Sequence, residues 1–181
     1  MTDQNNTSTT AVRSTRRRKG GKALSGALRK LGPHSGHLCV MAGFAGYATG
    51  WAALQRRIGR PGLASPGPLE LTLTAAATFR LSRLLTKATV TRPIRAPFTH
   101  VDAAGGPAEL NETPRKELGR ETLGELISCP FCLSLWIVTT LTGARSIWPE
   151  TTRTVAGALA ALTLSDALQF GYSALAKRAE Q

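Results

Sequence analysis

From Leu31 to Gln55 the chain carries no Asp, Glu, Lys or Arg, while residues 13–30 just before it hold eight Lys and Arg and no acid. At about 1.5 Å per residue, such a run outreaches the ~30 Å hydrocarbon core of a bilayer. Its heart, Leu38 to Leu54, places Ala42, Gly46 and Gly50 every fourth residue. That is a small-residue face onto which a second helix can close. Glycine this dense weakens a helix in water by up to ~1 kcal/mol each, so the pattern favours a membrane helix over a soluble one. Cys39 within the run reads as an inert small apolar residue.

The remainder alternates in the same blockwise way. Hydrophobic residues make up 42% of the 181, an ordinary figure for a soluble protein, but the average hides their segregation. Three further apolar segments follow, at about residues 69–86, 131–148 and 154–176. Arg80, Arg83 and Lys87 share one stripe at the end of the first of them. Between Lys87 and Ser128 lies a charged segment expected to be a soluble loop. Within it, Arg92 to Phe98 reads as extended because each proline biases its predecessor away from helix. Gly105-Gly106-Pro107 signals a turn. Thr113 reads as an N-cap with Pro114 at the first helical position. Met1 to Thr10 is polar and aperiodic, as in disordered chains. The expected division is therefore a basic arm (1–30), an additional membrane helix with its loop (31–65), and a membrane domain (66–177). The expected fold is all-α, a multi-pass membrane protein with about four transmembrane helices.

Charge asymmetry then orients the spans. With four of them, the N-terminus, the 87–128 loop and the C-terminus share one side with 16 Lys and Arg, against 5 on the other. With three, counting Arg80 and Arg83, the sides hold 10 and 13 and the bias disappears. Four spans with both termini cytoplasmic is the expected topology. The net charge of +12 calls for an anionic partner. Arg16, Arg17, Arg18 and Lys19 have no aromatic residue among them to stack on bases. They read as a juxtamembrane patch for anionic lipid headgroups, with nucleic acid disfavoured.

Two features carry chemistry. Cys129-Pro130-Phe131-Cys132 sits where the charged loop meets the third apolar segment. With Pro130 at the first helical position, Cys129 is the natural N-cap and Cys132 falls in the first turn. A thiolate there is favoured by the helix dipole, which makes the pair a redox candidate. Two thiolates are also half of a tetrahedral zinc site, with His100 as a possible third ligand or a second chain supplying the rest. The simplest alternative is a structural helix start. Asp166, alone in an otherwise uncharged segment, needs a partner; Arg80 and Arg83 are the candidates, and an Asp166–Arg80 pair locking the second and fourth helices is expected.

The order Thr78-Phe79-Arg80-Leu81-Ser82-Arg83-Leu84-Leu85-Thr86, Arg92-Pro93, Arg95-Ala96-Pro97-Phe98, Pro107-Ala108-Glu109, Gly124-Glu125-Leu126 and Cys129-Pro130-Phe131-Cys132 resembles a family of small bacterial integral-membrane proteins, domain-of-unknown-function family 1360. The likeness runs over roughly residues 69–175. Ala88 stands where that family often carries an acid. The resemblance implies a bacterial membrane location and brings no activity with it. The expected role is non-enzymatic and without cofactor: a scaffold or envelope-complex component, with a homo-oligomer or another membrane protein as partner. The alternatives are a thiol or metal protein using Cys129 and Cys132, and a holin-like pore.

Overall fold

Pro68 opens the helix on which the other elements assemble. Gly67 before it is extended, Pro68 takes the first helical position and Glu70 stands in the first turn. There its charge complements the N-terminal dipole. The computed structural model describes residues 35–59, 65–116 and 121–180. The basic arm with Arg16, Arg17, Arg18 and Lys19 lies outside them. The described elements are α1 (Ser35–Arg57), α2 (Pro68–Thr86), a 3-10 turn (Thr89–Thr91), α3 (Arg92–Arg95), β1 (Thr99–Ala104), β2 (Leu110–Pro114), α4 (Glu121–Ser128), α5 (Pro130–Ile147) and α6 (Pro149–Ala179). The chain divides into two compact units, Met1–Ala42 and Gly43–Gln181. The described part of the first is the opening of α1, Ser35–Ala42, where Cys39 is exposed and free.

In the second unit α2, α5 and α6 form a bundle. Arg145 near the end of α5 reaches Glu70 at the start of α2, so these two run antiparallel. Thr163 of α6 donates to the Ala76 carbonyl of α2, and Arg80 pairs with Asp166 further along both, so those two run parallel. The apolar core is small: Ala77, Ile137, Leu141 and Ala156, with Leu81, Leu85, Leu133 and Leu159 around it. Trp148 alone joins α5 to α6, its N–H donating to the Ala144 carbonyl while Pro149 starts the next helix. From Gly43 onward α1 lies along α5. Phe44 and Tyr47 pack on Trp136 with ring centroids 5.3 Å apart, and the Tyr47 and Thr140 hydroxyls share a 2.7 Å hydrogen bond.

Several expectations are corrected here. The 87–128 segment is no loop but a folded cap with a two-stranded antiparallel sheet, so the fold is mostly helical rather than all-α. Thr99 pairs with Pro114 and Ala104 with Leu110, with an irregularity between Val101 and Ala103. Thr113 and Pro114 are strand residues: Thr113 donates to Asp102 across the hairpin instead of capping a helix. Arg92–Arg95 is a helical turn rather than extended, because Pro93 stands at its start, where the missing N–H costs nothing. Gly105-Gly106-Pro107 does turn the chain, closed by the Gly105 N–H on the Glu109 carbonyl at 2.8 Å, with Ala108 at a φ of 59°. No single described helix is long and apolar enough to cross a membrane; α4 and α5 meet that test only together, bent by 75° at their junction. Gly, Thr, Tyr and Trp dilute Leu and Val in α1, and Glu70, Arg80 and Arg83 interrupt α2.

Glycine contacts also differ from the spacing argument. A Cβ at Gly46, Gly50 or Gly157 would meet open space, whereas one at Gly143 would strike the Trp51 ring at 2.4 Å. Gly124 is the tightest against backbone. Its Cβ would lie 2.8 Å from the Phe98 carbonyl and 2.9 Å from Pro114 Cβ, neither of which can swing away. Gly124→Ala should therefore lift α4 from the hairpin and cost about 1–3 kcal/mol. The check is faster amide exchange in residues 121–128 with the bundle unchanged; unaltered exchange would show that the cap yields freely.

Candidate functional site

The sharpest local geometry lies at the corner where the cap meets the bundle. Helix α4 ends at Ser128 with the Cys129 N–H donating to the Glu125 carbonyl at 3.1 Å. Cys129 is extended, with φ −99° and ψ 111°, and α5 restarts at Pro130. An extended N-cap turns its side chain back over the first-turn amides. Accordingly, the Cys132 N–H donates to Cys129 Sγ at 3.3 Å. Partial burial pushes the Cys129 thiol up. The bonds from the Cys132 thiol and from the Cys132 and Phe131 amides, with the Lys87 charge, outweigh that and hold it below its ordinary value of 9.0. Cys129 is half-buried, Cys132 is exposed, and neither is in a disulfide. Between them Phe131 is 86% exposed.

Beside this corner the end of α2 is closed by one side chain. A helix terminus leaves carbonyls without partners, and a guanidinium carries five N–H donors in a fixed fork. Arg95, 1% exposed, uses all five. Nη1 reaches the Leu85 carbonyl at 2.8 Å and Thr91 Oγ1 at 2.6 Å, and Nη2 reaches the Ala88 carbonyl at 3.0 Å. Nε and Nη2 hold the two oxygens of Glu112 at 2.8 and 3.1 Å. The Thr99 hydroxyl adds a bond to Glu112 at 2.8 Å. Burial pushes the Glu112 carboxyl up, but the bonds from Arg95 and Thr99 and the charges of Arg95 and Arg92 hold it below its ordinary 4.5.

Arg83 lies nearby, forking onto Glu109 at 3.0 and 2.5 Å and so tying the hairpin to α2. It therefore does not join Asp166. Arg80 does: its Nη1 donates to Asp166 Oδ2, leaving Nε buried without an acceptor. His100 is exposed on β1, opposite Thr113 and away from the thiols' hydrogen-bond network. Among the described residues no three His, Cys, Asp or Glu side chains gather as metal ligands.

The sequence reading singled out Cys129, Cys132, Arg80, Arg83 and Asp166. Arg95 and Glu112 stand in the sequence as two charges among many. Seventeen positions separate them, and no local pattern marks Arg95 as a buried arginine.

Comparison with curated proteins and with solved structures yields no match. A family model, Protein of unknown function (DUF1360), matches residues 73–172. That span runs from α2 through the cap and both thiols to Asp166 and beyond, more than half of the chain, and the protein belongs to this family.

Proposed function

We propose that this DUF1360 protein is an integral membrane protein of the cell membrane. In this reading α1, α2, α5 and α6 lie in the bilayer, and the 87–128 cap, both termini and Cys129 face the cytoplasm. Its role is that of a non-enzymatic scaffold presenting the cap to a membrane or envelope complex. The observation that carries the reading is an inverted pattern of burial. Among the described residues only four hydrophobic side chains are buried, against seven polar or charged ones, while twenty-one large hydrophobics are exposed. In water each large apolar side chain left outside forgoes about 1.5–3 kcal/mol. In lipid the outward Leu135, Leu162, Leu164, Leu168 and Phe170 are where the solvent wants them.

Hydroxyl placement supports it. Thr49, Thr78, Thr86, Thr139, Thr140 and Thr163 each donate to the carbonyl four residues back. Such hydroxyls enter an apolar medium already bonded. Interrupting charges are matched too, Arg80 with Asp166 and Arg145 with Glu70. A helix that falls short as a lone span can thus be carried by the bundle. The open glycine positions Gly46, Gly50 and Gly157 offer room for a partner helix.

The test is extraction of membranes from expressing cells. The protein should stay in the pellet through alkaline carbonate and enter the supernatant only with detergent. A membrane-impermeant maleimide should label Cys132 in inverted vesicles and not in intact cells. Release by carbonate would overturn the membrane reading; labelling in intact cells would reverse its orientation.

A further inference from the structure

We infer that Cys129 and Cys132 form a dithiol–disulfide exchange site, with Cys129 as the attacking sulfur, Cys132 as the resolving one, and a polypeptide disulfide as the substrate. This goes beyond the scaffold role and rests on the geometry of the thiols, not on the position of the helices in a membrane.

Three features separate the pair from two cysteines that merely start a helix. First, the Cys132 amide points to the Cys129 sulfur at 3.3 Å, which holds that sulfur over the turn carrying Cys132. Residues spaced as an N-cap and the third helical position stand within the ~4.4–6.8 Å Cα separation that a disulfide requires. The pair can therefore close without moving α5. Second, the two are inequivalent. Cys129 receives the first-turn amides and the Lys87 charge, while Cys132 sits exposed as a donor to it. Attack needs a thiolate, and stabilisation by amides and a cation supplies one. Third, the corner projects. The helix axes bend by 75° at Cys129, and Phe131, which lies between the two cysteines in sequence, is 86% exposed. An exposed phenyl ring next to the thiols suits an extended peptide bearing a disulfide better than a small molecule, which needs enclosure.

The exchange balances as follows. Cys129 gives its proton to solvent, and its thiolate attacks one sulfur of the substrate disulfide. The S–S bond breaks, the leaving sulfur departs as thiolate and takes a proton, and a mixed disulfide joins Cys129 to the substrate. Cys132 then loses its proton and attacks Cys129 Sγ. The second substrate sulfur leaves and is protonated. Two electrons pass from the dithiol to the substrate, leaving a Cys129–Cys132 disulfide and a substrate dithiol. The direction of exchange, unlike the exchange itself, rests on the cytoplasmic placement proposed above: on that reducing face the dithiol is the resting state and the site works as a reductant.

The experiment uses the full chain in detergent, reduced and desalted, in two arms: one with oxidised glutathione, one with a disulfide-linked peptide carrying apolar residues. Mass mapping should find the internal Cys129–Cys132 disulfide in both, formed faster with the peptide. Cys132→Ser keeps the backbone N–H on Cys129 Sγ and should trap the mixed disulfide at Cys129. Cys129→Ser should trap severalfold less at Cys132 at pH 7, because that sulfur lacks the amide donor that favours the Cys129 thiolate. Equal trapping at either sulfur, no internal disulfide, or zinc co-purifying and released by a thiol reagent would each overturn the assignment. Reaction with glutathione alone would overturn the polypeptide substrate. Carbonate release of the protein would touch the membrane reading and leave this one standing.

Discussion

Glu112→Ala should unfold the cap at a cost of about 3–5 kcal/mol, the range for removing one partner of a buried ion pair. Arg95 would then sit 1% exposed with two N–H groups unmet and no counter-charge. Glu112→Gln keeps the shape and one acceptor, so it should fall between parent and alanine. Arg95→Met should not mirror Glu112→Ala. It also strips the Leu85 carbonyl of its Arg95 donor and leaves the Ala88 carbonyl with the Thr91 hydroxyl alone, and the end of α2 should fray with the hairpin. Adding Glu112→Leu to Arg95→Met therefore recovers the charge penalty but not the carbonyl bonds. Acid gives an independent handle. The folded Glu112 titrates below its ordinary 4.5, so its stabilisation is full above that value and is lost as pH falls through the lower folded value. Glu112→Gln should flatten that limb. The readout is amide exchange of residues 99–114 from pH 7 downward, and a hairpin equally protected in parent and Glu112→Ala would sink the keystone role of the pair.

That pair also marks where the sequence stops being legible. Short-range chemistry reads well. Pro130 can only begin a helix, so Cys129 before it falls at the cap, and the structure has the Cys129 sulfur on the Cys132 amide. Gly105-Gly106-Pro107 reads as a turn for the same reason. Where two local rules compete, the reading fails. Arg92-Pro93 reads as extended by the rule for residues before proline, yet Pro93 also suits a helix start, and the grip of Arg95 on Leu85, Thr91 and Ala88 decides for the helical turn. Thr113-Pro114 looks like a cap with a first helical residue. Pairing with Thr99 and His100 makes it a strand, and nothing within a few positions announces those partners. Glycine spacing is legible only in part. Every-fourth spacing marks a face, but which glycine a neighbour fills depends on where a bulky ring lies opposite, and Trp51 lies against Gly143.

Asp166→Asn should lower the melting temperature, and the size of the drop reports on the medium around α2 and α6. Arg80 and Asp166 are 28% and 36% exposed to whatever surrounds the bundle. If that medium is water, the pair is a surface ion pair worth about 0–1 kcal/mol. If it is lipid, as proposed, the exposed third of each group faces hydrocarbon. Removing the carboxylate then leaves a guanidinium with no counter-charge and an Nε already without an acceptor, at a cost nearer ~3–5 kcal/mol. The double variant Arg80→Met/Asp166→Leu separates the cases further. Replacing a buried pair by apolar side chains of similar volume is often neutral or stabilising, so in lipid the double variant should melt above either single one. In water it should gain nothing over them. The measurement is helical circular dichroism against temperature in detergent micelles and again in reconstituted vesicles. A single-variant loss that deepens from micelle to vesicle, with rescue in the double, is the expected result. Asp166→Asn melting with the parent in both would strip the pair of its role and remove one of the supports for placing α2 and α6 in a bilayer.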